Sequence, residues 1–246
     1  MIKETEKKKF DSTFVKETMA LTFSFRRQEV VDIEPLVTVL RDRWPALFFK
    51  DEICREFYRI TNIDLMVTFQ SSLEKFTPAL MKYYRKKKEP AGSELTALLA
   101  PLDDQVSDIM DLRKRVALEG LPLVLKEESG CLFRKCLETD AEEIYTRNVK
   151  IGILTVLEDD VAVRKSLPTV INIAIILEET VVLEDIKDLP SAVAYLFGLL
   201  YATNMEYPKD LSYTFEVIQK VFVELDAQSC SSRALSLRRK LYELLR

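Results

Sequence analysis

The chain is expected to be a predominantly helical α+β protein. Apolar residues recur at intervals of three and four through roughly the first half of its 246 residues. A β-branched, largely apolar texture replaces that pattern between about residues 149 and 185, and helical spacing then returns to the C-terminus. The expected layout is an N-terminal helical part, then a small, mainly antiparallel sheet packed by two or three C-terminal helices. Residues 1–20 are polar and read as a frayed or loosely helical start. Residues 21–246 read as one globular unit, with a helical subdomain over 21–147 and an α+β subdomain over 148–246. The two are expected to share a core, because the link near Glu138 to Asn148 is charged but does not amount to a flexible linker.

The elements follow in order. "FSFRRQEVVD" reads as a short approach segment. Asp32 can cap a helix with Pro35 in its first turn, where the missing N–H costs nothing, and Leu36, Val39 and Leu40 give it an apolar face. Trp44-Pro45 ends it, since the residue before proline is pushed out of the helical region. Asp51 can cap a second helix carrying Ile53, Phe57 and Ile60. A third starts near Leu65, with Phe69, Leu73 and Phe76 on one side. Thr77-Pro78 reads as the cap and first residue of a fourth, which ends in "YYRKKK". Another spans Asp103 to Leu118, with Val106, Ile109, Met110 and Val116 inward and Gly120 at its end.

"VKIGILTVLEDD" reads as a strand, and "TVINIAIILEETVVLED" as two strands joined by a tight turn at Glu178-Glu179. Helices then run from Pro190 to about Asn204 and from Pro208 to about Asp226, and "RALSLRRKLYELLR" closes the chain. "LPSAVAYLFGLLYATNMEYP" is the most apolar stretch, yet its uncharged run is shorter than the about 20 residues a membrane span needs. It is expected to be the central helix of the core, with Gly198 letting a strand or the Leu211–Leu225 helix approach closely.

Composition excludes several chemistries. The chain has no histidine, which removes Ser–His–Asp and Cys–His catalysis and histidine-containing zinc sites. None of its five glycines falls in a GxGxxG or GxxxxGK phosphate cradle. Cys54, Cys131, Cys136 and Cys230 form no C-x-x-C pair, and "MIKETEKKKF" has no apolar stretch after its basic residues. Reduced thiols in a cytoplasmic or nuclear protein are therefore expected. No cofactor or metal is expected, and the chain leans away from being an enzyme. The net charge of −4 calls for no polyanion overall.

Three constellations remain, each beside a plainer reading. Arg85, Lys86, Lys87 and Lys88, with Arg238, Arg239 and Lys240, suit nucleic-acid phosphates; runs of cations at a helix end are ordinarily solvated and favoured by the dipole. Glu158, Asp159, Asp160, Glu178, Glu179, Glu184 and Asp185 suit a divalent cation or a carboxylate pair if strand ends converge; acids in turns are ordinarily solvated. Trp44, Phe48 and Phe49 in "RWPALFF" suit a partner hot spot; a lone tryptophan ordinarily packs inward.

The segments "RWPALFFKDEICREFYRITNIDL", "EGLPLVLKEE", "VKIGILTVLEDD" and "INIAIILEETVVLEDIKDLPSAVAYLFGLLYATNMEYPKDLSYTFEVIQKVFVELD" resemble, in that order, the sterile alpha motif domain-containing protein 3-like proteins, a vertebrate family abundant in fish. The resemblance runs from about Thr22 to Leu245. It implies a globular unit but transfers no catalytic residue. The sterile alpha motif domain itself is not visible in this chain. Family members carry glycines at the hairpin where this chain has Glu178 and Glu179. The leading expectation is a non-catalytic, intracellular protein-interaction or scaffold module with a protein partner or self-association and no membrane. The alternatives are a nucleic-acid-binding module and a carboxylate- or metal-dependent enzyme.

Overall fold

The computed structural model describes residues 11–87, 92–104, 109–159 and 168–246, and its class is the expected one: helices around a small sheet. Val106, Asp160 and Lys88 lie outside the described residues. One contiguous apolar core runs through the chain from Val15 to Leu241.

Three helices open the described residues: α1 (Ser12–Leu21), α2 (Phe23–Ile33) and α3 (Val37–Arg43). Asp11 caps α1, its carboxylate accepting from the amides of Thr13 and Phe14. The supposed approach segment is thus a helix, and Asp32 lies inside it rather than capping the next. Glu34 ends α2 with φ 49°, so Pro35 falls in the link and not in a first turn. On α3, Val37 and Leu40 are buried, while Val39 and the preceding Leu36 are exposed. Trp44 ends α3 and Pro45 opens a 3-10 turn, Pro45–Phe48.

Helix α4 (Lys50–Thr61) holds Asp51 in its first turn, not at its cap, which is Phe49. Helix α5 (Leu65–Lys87) is continuous, joining the two helices expected on either side of Thr77-Pro78. Pro78 removes one backbone donor, but Thr77 Oγ1 donates to the Leu73 carbonyl at 2.6 Å, and Phe76, Ala79 and Leu80 stay buried on one face. Core packing on both sides of the proline outweighs that single loss.

The short helices α6 (Gly92–Leu99) and α7 (Pro101–Asp104) lead to α8 (Ile109–Leu125), which runs through Gly120 and Pro122 instead of stopping. Met110 is exposed rather than inward. Gly120 is kept by contact: a Cβ there would lie 2.5 Å from the Tyr84 ring, which is buried and donates its hydroxyl to the Ala117 carbonyl. Gly120→Ala is therefore expected to destabilise by about 1–3 kcal/mol despite alanine's better helix propensity. Urea unfolding would check this; a gain in stability would contradict it.

Helix α9 (Ser129–Leu132) feeds strand β1 (Phe133–Leu137), which the sequence reading did not anticipate. "FRKCL" is short, polar and at an edge, so it carries little alternation. The sheet order is β1-β2-β3-β4, with β2 (Ile151–Leu157), β3 (Val170–Leu177) and β4 (Thr180–Leu183). The β1–β2 pair is parallel and the other two antiparallel; the parallel crossover contains α10 (Glu142–Thr146). Ile151, Ile153, Ile173 and Ile175 face the main core, while Leu154, Ala174 and Ile176 form a second cluster under Tyr145 of α10. Burial on both faces explains the continuous apolar runs.

The hairpin turns at Glu178 and Glu179, whose φ values are 49° and 63°. Two left-handed residues make the turn that matches strand twist, a geometry for which glycine and asparagine are the usual choices. Here the glutamates add contacts instead: Glu178 Oε2 accepts from the Val37 amide at 2.8 Å, and Glu179 Oε1 from the Asn148 amide at 2.9 Å.

Helix α11 (Leu189–Ala202) is the centre, with twelve of its fourteen residues buried. Asp188 caps it, accepting from the Ser191 amide at 2.7 Å. The close neighbours at Gly198 are Ile53 of α4 and Leu65 of α5, not a strand or the following helix as the sequence reading had it. After a 3-10 turn, α12 (Ser212–Val217) passes into a π-helical turn, Ile218–Phe222, and α13 (Ser232–Leu245) closes the chain against α5.

Candidate interaction site

Helix α2 is built inside out. Its buried residues include Arg26 and Glu29, while Phe25 and Ile33 are 58% and 67% exposed. A buried charge and an exposed large apolar side chain are the informative exceptions to ordinary burial, and here they share one helix.

The buried side is fully bonded. Arg26 makes a two-point contact with Glu56 of α4, at 2.8 Å and 2.5 Å, and also donates to the Met19 carbonyl and Thr22 Oγ1. Glu56 and its neighbour Glu52 are further held by Arg59, at 2.7 Å and 2.6 Å. Glu29 accepts from Arg43 at 2.5 Å and from the Trp44 indole N–H at 3.0 Å. Arg27 donates to the Tyr201 carbonyl and to Asn204 Oδ1; burial lowers its pKa, partly offset by Glu56. Bidentate, hydrogen-bonded pairs of this kind tolerate burial where a lone charge would not.

The outer side is apolar. Among the described residues, seven of the sixteen exposed large apolar side chains fall between Phe14 and Val39. Phe14 and Leu21 lie two turns apart on the same side of α1, and Leu21 is 87% exposed. Val39 of α3 and the preceding Leu36 stand on the outer side. Phe25 meets Trp44 edge to face, with ring centroids 6.2 Å apart. Trp44 and Phe48, named as hot-spot candidates, are only 8% and 4% exposed, and Phe49 is half-buried. They support the surface from beneath. The α1–α3 surface is hard to see in the sequence because α2 has no apolar stripe at helical spacing. Two phenylalanines flanking a serine beside Arg26-Arg27 were the available signal.

The other candidates are placed as follows. Arg85, Lys86 and Lys87 are exposed at the end of α5; Arg239 and Lys240 are exposed on α13, and Arg238 is half-buried with a bond to the Ala227 carbonyl. The acids do not gather. Pairing of Ile151 with Leu177 and of Leu157 with Val170 puts Glu158 and Asp159 at one end of the β2–β3 ladder and Glu178 and Glu179 at the other, about 20 Å away. Among the described residues no group of three His, Cys, Asp or Glu side chains is placed to hold a metal ion. All four cysteines are free thiols. Burial, with Asp64 and Asp51 nearby, pushes Cys54 up to about 11, and burial and Glu128 raise Cys131, so neither is poised as a thiolate. No described helix is long and apolar enough to cross a membrane.

A family model described as "Sterile alpha motif domain-containing protein 3, helical domain" matches residues 1–49. That stretch contains α1, α2, α3 and the Trp44 turn, so the resemblance to the sterile alpha motif domain-containing protein 3-like proteins is supported over the part that carries the inside-out helix. No curated protein and no solved structure matches the chain.

Proposed function

We propose that this chain is a non-catalytic protein-interaction module whose binding surface is the outer side of α1–α3. The observation that carries it is the burial pattern of α2, which uses a buried arginine and two buried glutamates beside Val30 to hold a helix whose Phe25, Val31 and Ile33 face outward. Exposed apolar groups concentrated in this way mark contact surfaces. The match to a helical domain, over the same residues, fits a recognition role. Four unbridged thiols fit a reducing interior such as the cytoplasm or nucleus.

Leu21→Lys and Ile33→Lys test it, because both side chains are largely free of the protein body. Each is expected to change stability by no more than about 0.5 kcal/mol while abolishing a partner or self-association seen with the wild-type chain. Light scattering over a concentration series and quantitative pull-down would measure this. A wild-type chain that stays monomeric and retains nothing, or variants that retain the same partner, would defeat the reading.

A further inference from the structure

Independently of the N-terminal surface, we propose that the ridge formed by α5 and α13 binds single-stranded nucleic acid through its phosphates. The two basic clusters lie far apart in the chain, but the fold brings them together. Helix α13 buries Ala234, Leu237 and Leu241 and lays Tyr242 edge-on against Phe76 of α5, with centroids 5.3 Å apart. Lys82 of α5 donates to the Leu244 carbonyl of α13 at 3.2 Å. Tyr83 joins the clusters directly: Lys87 lies 5.9 Å from its ring centre, and the charge of Lys240 acts on its phenol.

The ridge keeps its positive charge. Glu243 is taken by Lys240, and Glu74 by Lys114. Lys86, Lys87 and Arg239 have no ion-pair partner among the described residues. Three such cations on one ridge, beside Arg85 and Lys240 paired with Asp103 and Glu243, suit a run of phosphates, although the whole chain carries a net −4.

Two features favour a nucleic acid over an anionic membrane. The apolar stripe of α13, Ala234, Leu237 and Leu241, is already used against the protein body, and only Tyr242 and Leu245 remain exposed, too little to enter lipid. The ridge also presents two partly exposed tyrosines with cations over their rings, Lys87 on Tyr83 and Arg238 on Tyr242. Aromatic rings and guanidinium planes are the platforms on which unpaired bases stack.

The test is fluorescence anisotropy of the full chain with a labelled oligouridylate of about 20 nucleotides at about 50 mM salt, repeated as salt is raised. Binding is expected, weakening steeply with salt. The triple variant Lys86→Glu, Lys87→Glu, Arg239→Glu is expected to weaken it at least about tenfold and to flatten the salt dependence. All three sites are exposed, and an unchanged melting curve would show that the variant folds. An absence of wild-type binding, a variant that binds equally well, or preferential sedimentation with phosphatidylserine vesicles would overturn the proposal.

Discussion

Gly198→Leu is expected to cost at least about 3 kcal/mol, lowering Tm by roughly 8 °C for a chain of this size. The cause is the crossing of α11 with α4 and α5. A bare Cβ at Gly198 would already sit 2.7 Å from Ile53 Cγ2 and 2.7 Å from Leu65 Cδ2. Both neighbours are fully buried, so a leucine's further carbons have nowhere to go. Gly198→Ala is the instructive companion. Rotation of the Leu65 end relieves one contact, but Ile53 Cγ2, fixed on a branched Cβ, stays in the way. Even after the about 1 kcal/mol returned by removing glycine from a helix interior, it should cost about 1–2 kcal/mol. Equal unfolding midpoints for wild type and the leucine variant would refute the central position of α11.

Arg26→Met is expected to destabilise by about 3 kcal/mol, the scale set by removing one partner of a buried ion pair. Methionine fills much of the volume but leaves the Glu56 carboxylate, 1% exposed, with Arg59 as its remaining partner beside an equally buried Glu52. Adding Glu56→Leu to Arg26→Met should restore part of the loss, because it takes away the stranded charge. Urea unfolding of the two singles and the double gives the coupling. A simple sum of the single effects would show that the pair does not act as one unit.

Much of this fold was legible where burial is one-sided or complete. The apolar spacing of Ile53 and Phe57, the run of α11 and the β2–β3–β4 texture all announced their elements, because each buries a defined set of apolar residues. The failures have a common cause. Thr77-Pro78 and Gly120 look like helix ends by local preference, yet the core burial of Phe76, Ala79 and Leu80 and the packing of Tyr84 against Gly120 carry both helices onward. Strand β1 was invisible because its partner is supplied by β2, not by its own pattern. The N-terminal surface was the least legible. Its helix buries polar groups whose partner, Glu56, lies thirty residues away, and no periodicity within "FSFRRQEVVD" could reveal that. The basic clusters were visible singly; their meeting at Tyr83 required the packing of α13 on α5.

The glutamate hairpin sets an order of events. Helix α3 has no side-chain cap of its own, and its first amide is accepted by Glu178, 141 residues further along the chain. Arg41 reaches the Val181 carbonyl, Lys50 the Asp185 carbonyl and Arg27 the Tyr201 carbonyl. Helices α2, α3 and α4 are thus fastened to segments made 135 to 174 residues later. At about 5–20 residues per second, α3 emerges roughly 7 to 28 seconds before the hairpin that completes its seat. Its apolar outer side is on show throughout that interval, before the inner side has found its place, and the slow, long-range closures wait for the hairpin.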